Sequence, residues 1–151
     1  MKRSLLVAMV VGVAAMFGSV ALYAGTNPPD VIKMEDAKLY PKHTKGIVVF
    51  SHKKHVTDYK DTCGDCHHDK DGKPLTNLKP GDNVQPCYEC HNKPGEKPKG
   101  KDAPKLTEKE TLQYHAEAMH KKCIGCHREY NKKNNTNAAP TTCIKCHPKA
   151  G

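Results

Sequence analysis

The sequence predicts a small fold of mostly irregular loops, with a few short α-helices and a short two-stranded β-ribbon wrapped around groups that are not polypeptide. Three observations carry this. The chain of 151 residues has no Trp, and only Phe50 of its two Phe lies beyond the N-terminal apolar stretch. Gly and Pro number 11 each and Lys is abundant, a mixture that struggles to bury enough apolar side chain to offset its ordering entropy. All eight cysteines, finally, fall in one repeated pattern.

The N-terminus reads as a secretory signal peptide. Lys2-Arg3 precede an apolar run from Leu5 to Phe17, followed by small residues around Ser19, Ala21 and Ala24. The run is short and sharply bounded for a membrane span. Cleavage after Ala24 or after Ala21 fits, and an uncleaved anchor is the alternative. Residues 1–24 are therefore expected to be a leader and 25–151 one domain.

The pattern is C-x-x-C-H, the attachment signal of c-type haem. It occurs at Cys63-Cys66-His67, Cys87-Cys90-His91, Cys123-Cys126-His127 and Cys143-Cys146-His147. A disulfide framework would explain an even cysteine count in a secreted domain. It leaves unexplained a His after every pair, which with ten His in the chain has a chance of roughly two in 100,000. Zinc ribbons use C-x-x-C pairs as well but need no such His. Two thiols three positions apart on a helical turn reach the two vinyl groups of one porphyrin, and the next His points its imidazole at the iron. Four covalently attached haem c groups are expected, with roughly 30 residues per haem. They would take the place of the apolar core.

Six histidines stand outside the motifs: His43, His52, His55, His68, His115 and His120. Beyond the leader only Met34 and Met119 remain, so Met cannot serve four irons. Four of the six histidines could complete bis-histidine ligation. That leaves no open iron for a substrate and places the potentials low, because axial Met is what raises them. Electron transfer, rather than catalysis at iron, is the consequence.

Around these sites the elements follow in order. Val31–Met34 and Ile47–Phe50 are β-type runs that predict the ribbon. Segments 69–86 and 92–105, rich in Pro, Gly, Asp and Lys, read as loops. Thr107 to Glu110 spells a capping box. It opens a helix expected over about 108–121, with Leu112, His115, Ala116 and Met119 along one face. Residues 131–140 read as a solvated loop. Nothing in the chain suggests a phosphate loop, a nucleophile–base pair or an aromatic nucleic-acid surface.

With VIKMEDAK, VVFSHKKH, CGDCHH and the final CIKCH in place, the chain closely resembles the tetrahaem cytochromes c3, the class III c-type cytochromes of sulfate-reducing bacteria. The likeness covers nearly the whole of 25–151 and predicts a small multihaem cytochrome. The resemblance implies distal His52 with proximal His67 at the first haem and His68 with His91 at the second. It implies His55 with His127 at the third and His120 with His147 at the fourth. Two features depart from the family. Many members use C-x-x-x-x-C-H at the second and fourth sites, which does not alter ligation. His120 also precedes Cys123 by an unusually short interval, which trihaem relatives share; His115 is its competitor.

Charge bears on partners. Without Lys2 and Arg3 the chain has 23 basic and 16 acidic side chains, net +7. Residues 25–91 balance ten Lys against ten acids, whereas 92–151 carry thirteen Lys/Arg against six. Four oxidised haems with their propionates would contribute roughly −4 and four reduced ones roughly −8. The secretory address argues against nucleic acid. A Lys-rich docking face near the third and fourth haems is expected for an acidic redox partner. The resemblance implies a periplasmic hydrogenase or other dehydrogenase on one side, a membrane-bound redox complex on the other, and proton-coupled reduction. A terminal reductase of metal ions or sulfur compounds, and a wiring subunit of a larger assembly, are the alternatives.

Overall fold

The computed structural model describes residues 28–149, and the expected leader at 1–24 lies outside the described residues. The chain opens with the ribbon: β1 (Ile32–Lys33) and β2 (Val49–Phe50) pair antiparallel, Ile32 opposite Phe50 and Lys33 opposite Val49. Both strands lie inside the expected β-type runs. One further bond, Met34 N–H to the Val48 carbonyl at 2.9 Å, extends the pairing into the loop.

Helix α1 (His52–Thr57) follows β2 directly. No helix was expected there, because four of its six residues are β-branched or histidine and the stretch is too short to show a period. It sets His52 and His55 one turn apart. The first motif forms α2 (Cys63–Cys66) under a complete capping box, with Thr62 and Asp65 exchanging bonds. The second motif is a 3₁₀ turn, Cys87–Glu89, and the fourth is α5 (Cys143–Cys146). The intervals 69–86 and 92–105 contain no helix or paired strand beyond single bridges at Pro74 and Lys93.

The single helix expected over 108–121 is two helices. The capping box opens α3 (Glu108–Thr111), with Thr107 and Glu110 bonded reciprocally. Then the chain breaks and α4 (His115–Lys133) runs on through the third motif. The break has a cause that lies outside the segment. Lys93 N–H bonds the Gln113 carbonyl at 2.9 Å, and His115 N–H bonds the Lys93 carbonyl at 2.8 Å. Backbone groups at 112–115 are thus drawn into a bridge with 93–95 instead of continuing the helix. At its other end α4 takes the first residues of the expected 131–140 loop. It stops where Asn134 and Asn135 follow, the latter left-handed at φ 48°, a conformation Asn tolerates at a helix end.

What these elements do not build is an apolar core. Among the described residues Ala118 is the only buried hydrophobic side chain, and no side chain is fully enclosed.

Candidate haem-binding site

Three of the four motif histidines have the ring tied back by one nitrogen and set beside a non-motif histidine. His91 Nδ1 meets the Leu112 carbonyl at 2.5 Å, the carbonyl left free by the break between α3 and α4. His127 Nδ1 meets the Pro140 carbonyl at 2.6 Å, and His147 Nδ1 meets the Gly46 carbonyl at 2.9 Å. Two non-motif histidines are held the same way: His55 Nδ1 by the Ser51 carbonyl at 2.9 Å and His68 Nδ1 by the Asp69 carbonyl at 2.7 Å. A carbonyl can only accept, so in each case Nδ1 carries the proton and Nε2 keeps its lone pair. This is the arrangement that orients an imidazole for a metal and raises its basicity.

The lone pairs come in facing sets. The rings of His68 and His91 have centroids 5.8 Å apart, those of His55 and His127 6.2 Å, and those of His120 and His147 6.3 Å. Two imidazole nitrogens each about 2 Å from one metal ion, on opposite sides of it, put the ring centroids roughly 6 Å apart. The spacing lies within the range of ordinary ring pairs and also suits a metal between them. The planes of the His55/His127 pair are near parallel at 22°, while His68/His91 and His120/His147 cross at 65° and 88°. Burial first, then His52 and His68, hold the His67 pKa below its usual value. Three of the four pairs implied at the sequence level thus lie side by side as rings.

The two remaining histidines stand apart from these sets. His115 has Nδ1 on the Tyr40 hydroxyl at 3.3 Å, and His43 lies 5.5 Å from the Tyr40 ring. Burial, opposed by Asp36 and reinforced by His91, lowers the His115 pKa. On a helix turning 3.6 residues per turn, His115 and His120 face directions about 140° apart, so both cannot face His147. His120 and His127, seven residues apart, share a face.

The thiols complete the geometry. Cys123 is exposed, yet burial pushes its pKa up to about 11, reinforced by Cys66, Cys146, Cys87 and Cys126. Cys87 and Cys66, both exposed, are likewise raised chiefly by burial. Cys123 thus lies within electrostatic reach of a thiol from each of the other three motifs. Among the described residues no three His, Cys, Asp or Glu side chains gather to cage a bare metal ion. The donors come in opposed pairs, which suits an iron whose other four ligands belong to a macrocycle. One buried apolar side chain among the described residues, paired imidazoles and two thiols in each motif together fit haem c.

Sequence reasoning missed the backbone acceptors. Leu112, Pro140, Gly46 and Ser51 contribute carbonyls, which have no side-chain signature. Tyr40 left a trace, as one of few aromatics in an aromatic-poor chain.

The comparisons agree with the geometry. The model of the class III cytochrome c family matches residues 28–147. A cytochrome c3 from Desulfovibrio desulfuricans is 34% identical over 110 residues, 72% of this chain and 84% of that protein. The relation extends over the ribbon, all four motifs and α4, and the chain belongs to the class III cytochrome c family, multihaem electron-transfer proteins that bind haem c.

Proposed function

We propose that this is a periplasmic, low-potential electron carrier with four covalently bound haems, each iron ligated by two histidines. The pairs are His52/His67, His68/His91, His55/His127 and His120/His147, and the eight motif cysteines form the thioethers. The observation that supports this reading is the centroid spacing of about 6 Å in three of the imidazole pairs, each joining one motif histidine to one outside the motifs. Haem supplies one-electron chemistry at iron, and the rest of the function is positioning by the chain.

The chain couples the sites through short pieces of backbone. His67 and His68 are sequence neighbours and serve the first and second irons, which keeps those irons within roughly 17 Å. His52 and His55 on α1 do the same for the first and third. His120 and His127, two turns apart on one face of α4, separate the fourth and third sites by about 10 Å of helix rise. An order of second, first, third, fourth follows for electron passage, with every step short.

Residues 1–24 are the leader that takes the chain to the periplasm in this reading. The lysines of 92–151 form the face that meets an acidic donor such as hydrogenase or another dehydrogenase. A membrane redox complex takes the electrons onward, and proton uptake accompanies reduction. Among the described residues no helix is long and apolar enough to cross a membrane.

Carbon monoxide tests the ligation. Bis-histidine irons have no vacant position, so the spectrum of the dithionite-reduced holoprotein should be unchanged by the gas. A carbonyl band from even one haem would contradict four complete pairs and move the reading toward a terminal reductase. A potentiometric titration should resolve four low-potential one-electron steps.

A further inference from the structure

The loop joining β1 to β2, residues 34–48, holds no cysteine and none of the proposed iron ligands, yet it reaches two of the four sites. Lys38 Nζ stands 4.9 Å over the ring of Tyr88, inside the second motif. The Tyr40 hydroxyl accepts the Gly95 N–H at 3.0 Å and lies 3.3 Å from His115 Nδ1. Gly46 offers its carbonyl to His147 Nδ1 at 2.9 Å. Gly46 also abuts the chain after the fourth motif so closely that a Cβ there would lie 2.8 Å from the Pro148 carbonyl carbon.

Tyr40 acts on the second site at one remove. The segments it pins are paired: Lys93 N–H to the Gln113 carbonyl, His115 N–H to the Lys93 carbonyl, and Ala116 N–H to the Gly95 carbonyl at 3.1 Å. The same pairing brings the Leu112 carbonyl to His91 Nδ1. The hydroxyl thus bolts together the two strands of backbone whose alignment places that acceptor.

We propose that the 34–48 loop is a tuning strap, in which Tyr40 and Gly46 are positioning residues that set the reduction potentials of the second and fourth haems by fixing the hydrogen bonds to His91 and His147. It rests on the ligation proposed above. A stronger bond from Nδ1–H to a carbonyl makes the imidazole a better donor to ferric iron and lowers the potential; a weaker bond raises it. The two sites the strap touches are the two ends of the electron order, where electrons enter and leave.

The test is a redox titration of the holoprotein followed by NMR, which resolves the haems individually. Tyr40→Phe keeps the ring and removes the hydroxyl. The second haem should become easier to reduce by about threefold in its reduced-to-oxidised ratio at fixed ambient potential, about 28 mV at 59 mV per decade, with the first and third unmoved. Gly46→Ala should shift the fourth haem in the same direction. His115→Ala should reproduce Tyr40→Phe, whereas His115→Gln, which retains an acceptor for the hydroxyl, should stay near wild type. An unmoved second haem in Tyr40→Phe, an equal shift of all four, or equal shifts in His115→Ala and His115→Gln would each overturn the strap. Loss of a bis-imidazole signal in His115→Ala would instead overturn the ligand assignment beneath it.

Discussion

Replacing His120 by Met is the sharpest probe of the fourth site. In the structure His120 faces His147 at 6.3 Å between ring centroids, the separation that suits an iron held from both sides. His115 is turned away and engaged by the Tyr40 hydroxyl. A thioether at position 120 can still reach the iron, because Met is long and unbranched. Axial ligand choice spans about 0.8 V across haem proteins, and His-to-Met exchange raises the potential. One of four steps should therefore rise by on the order of 0.1 V or more, with the other three nearly in place. Spectroelectrochemical titration reads the potential, and near-infrared magnetic circular dichroism reports the new Met–iron bond. The matching change His115→Met should leave all four irons bis-histidine. If His115→Met raised the potential and His120→Met did not, the reasoning from helix faces would be refuted.

Other perturbations follow from the same geometry. Thr107→Ala removes the N-cap of α3, whose Oγ1 accepts from the Glu110 N–H at 3.3 Å, and should cost about 1 kcal/mol in denaturant unfolding. The carboxyls of Asp65 and Glu110 are held below their ordinary pKa by bonds from Thr62 and Thr107 respectively. Their stabilisation is therefore complete above the ordinary carboxylate range near 4 and lost as pH falls through the depressed folded values; Asp65→Asn should flatten that part of an acid titration followed by circular dichroism. Reduction by an acidic donor should slow steeply as salt rises, since the cationic half of the chain steers the encounter; stopped-flow rates flat with ionic strength would remove the docking face.

Much of this molecule is legible in its sequence because its chemistry is local. C-x-x-C-H is readable wherever it falls, and the ribbon at 32–33 and 49–50 lies within β-branched runs. The Thr107–Glu110 capping box is complete within four residues. The break at 112–114 was not readable, since Lys93, some twenty residues earlier, supplies the competing hydrogen bonds. Nor were the acceptors for His91, His127 and His147, which are backbone carbonyls brought in from afar; the Gly46 carbonyl lies 101 residues from His147. Helix α1 escaped for the opposite reason, being a single short run with no periodic signal.

On the proposed ligation, the same restraints that carry electrons also fold the chain. With one buried apolar side chain among the described residues, hydrophobic burial supplies little, and long-range order depends on connections between remote segments. His55 and His127 join α1 to α4, and His120 and His147 join α4 to α5, each pair spanning a long stretch of chain. Closing long loops through fixed points restricts the unfolded ensemble most, and ligation that exists only in the folded state counts directly toward folding free energy. A distal histidine in the proposed ligation would thus be a structural cross-link as well as a redox ligand. Losing His55 should loosen the docking of α1 onto α4 as well as opening the third iron, a coupling that a protein with an ordinary core would not show.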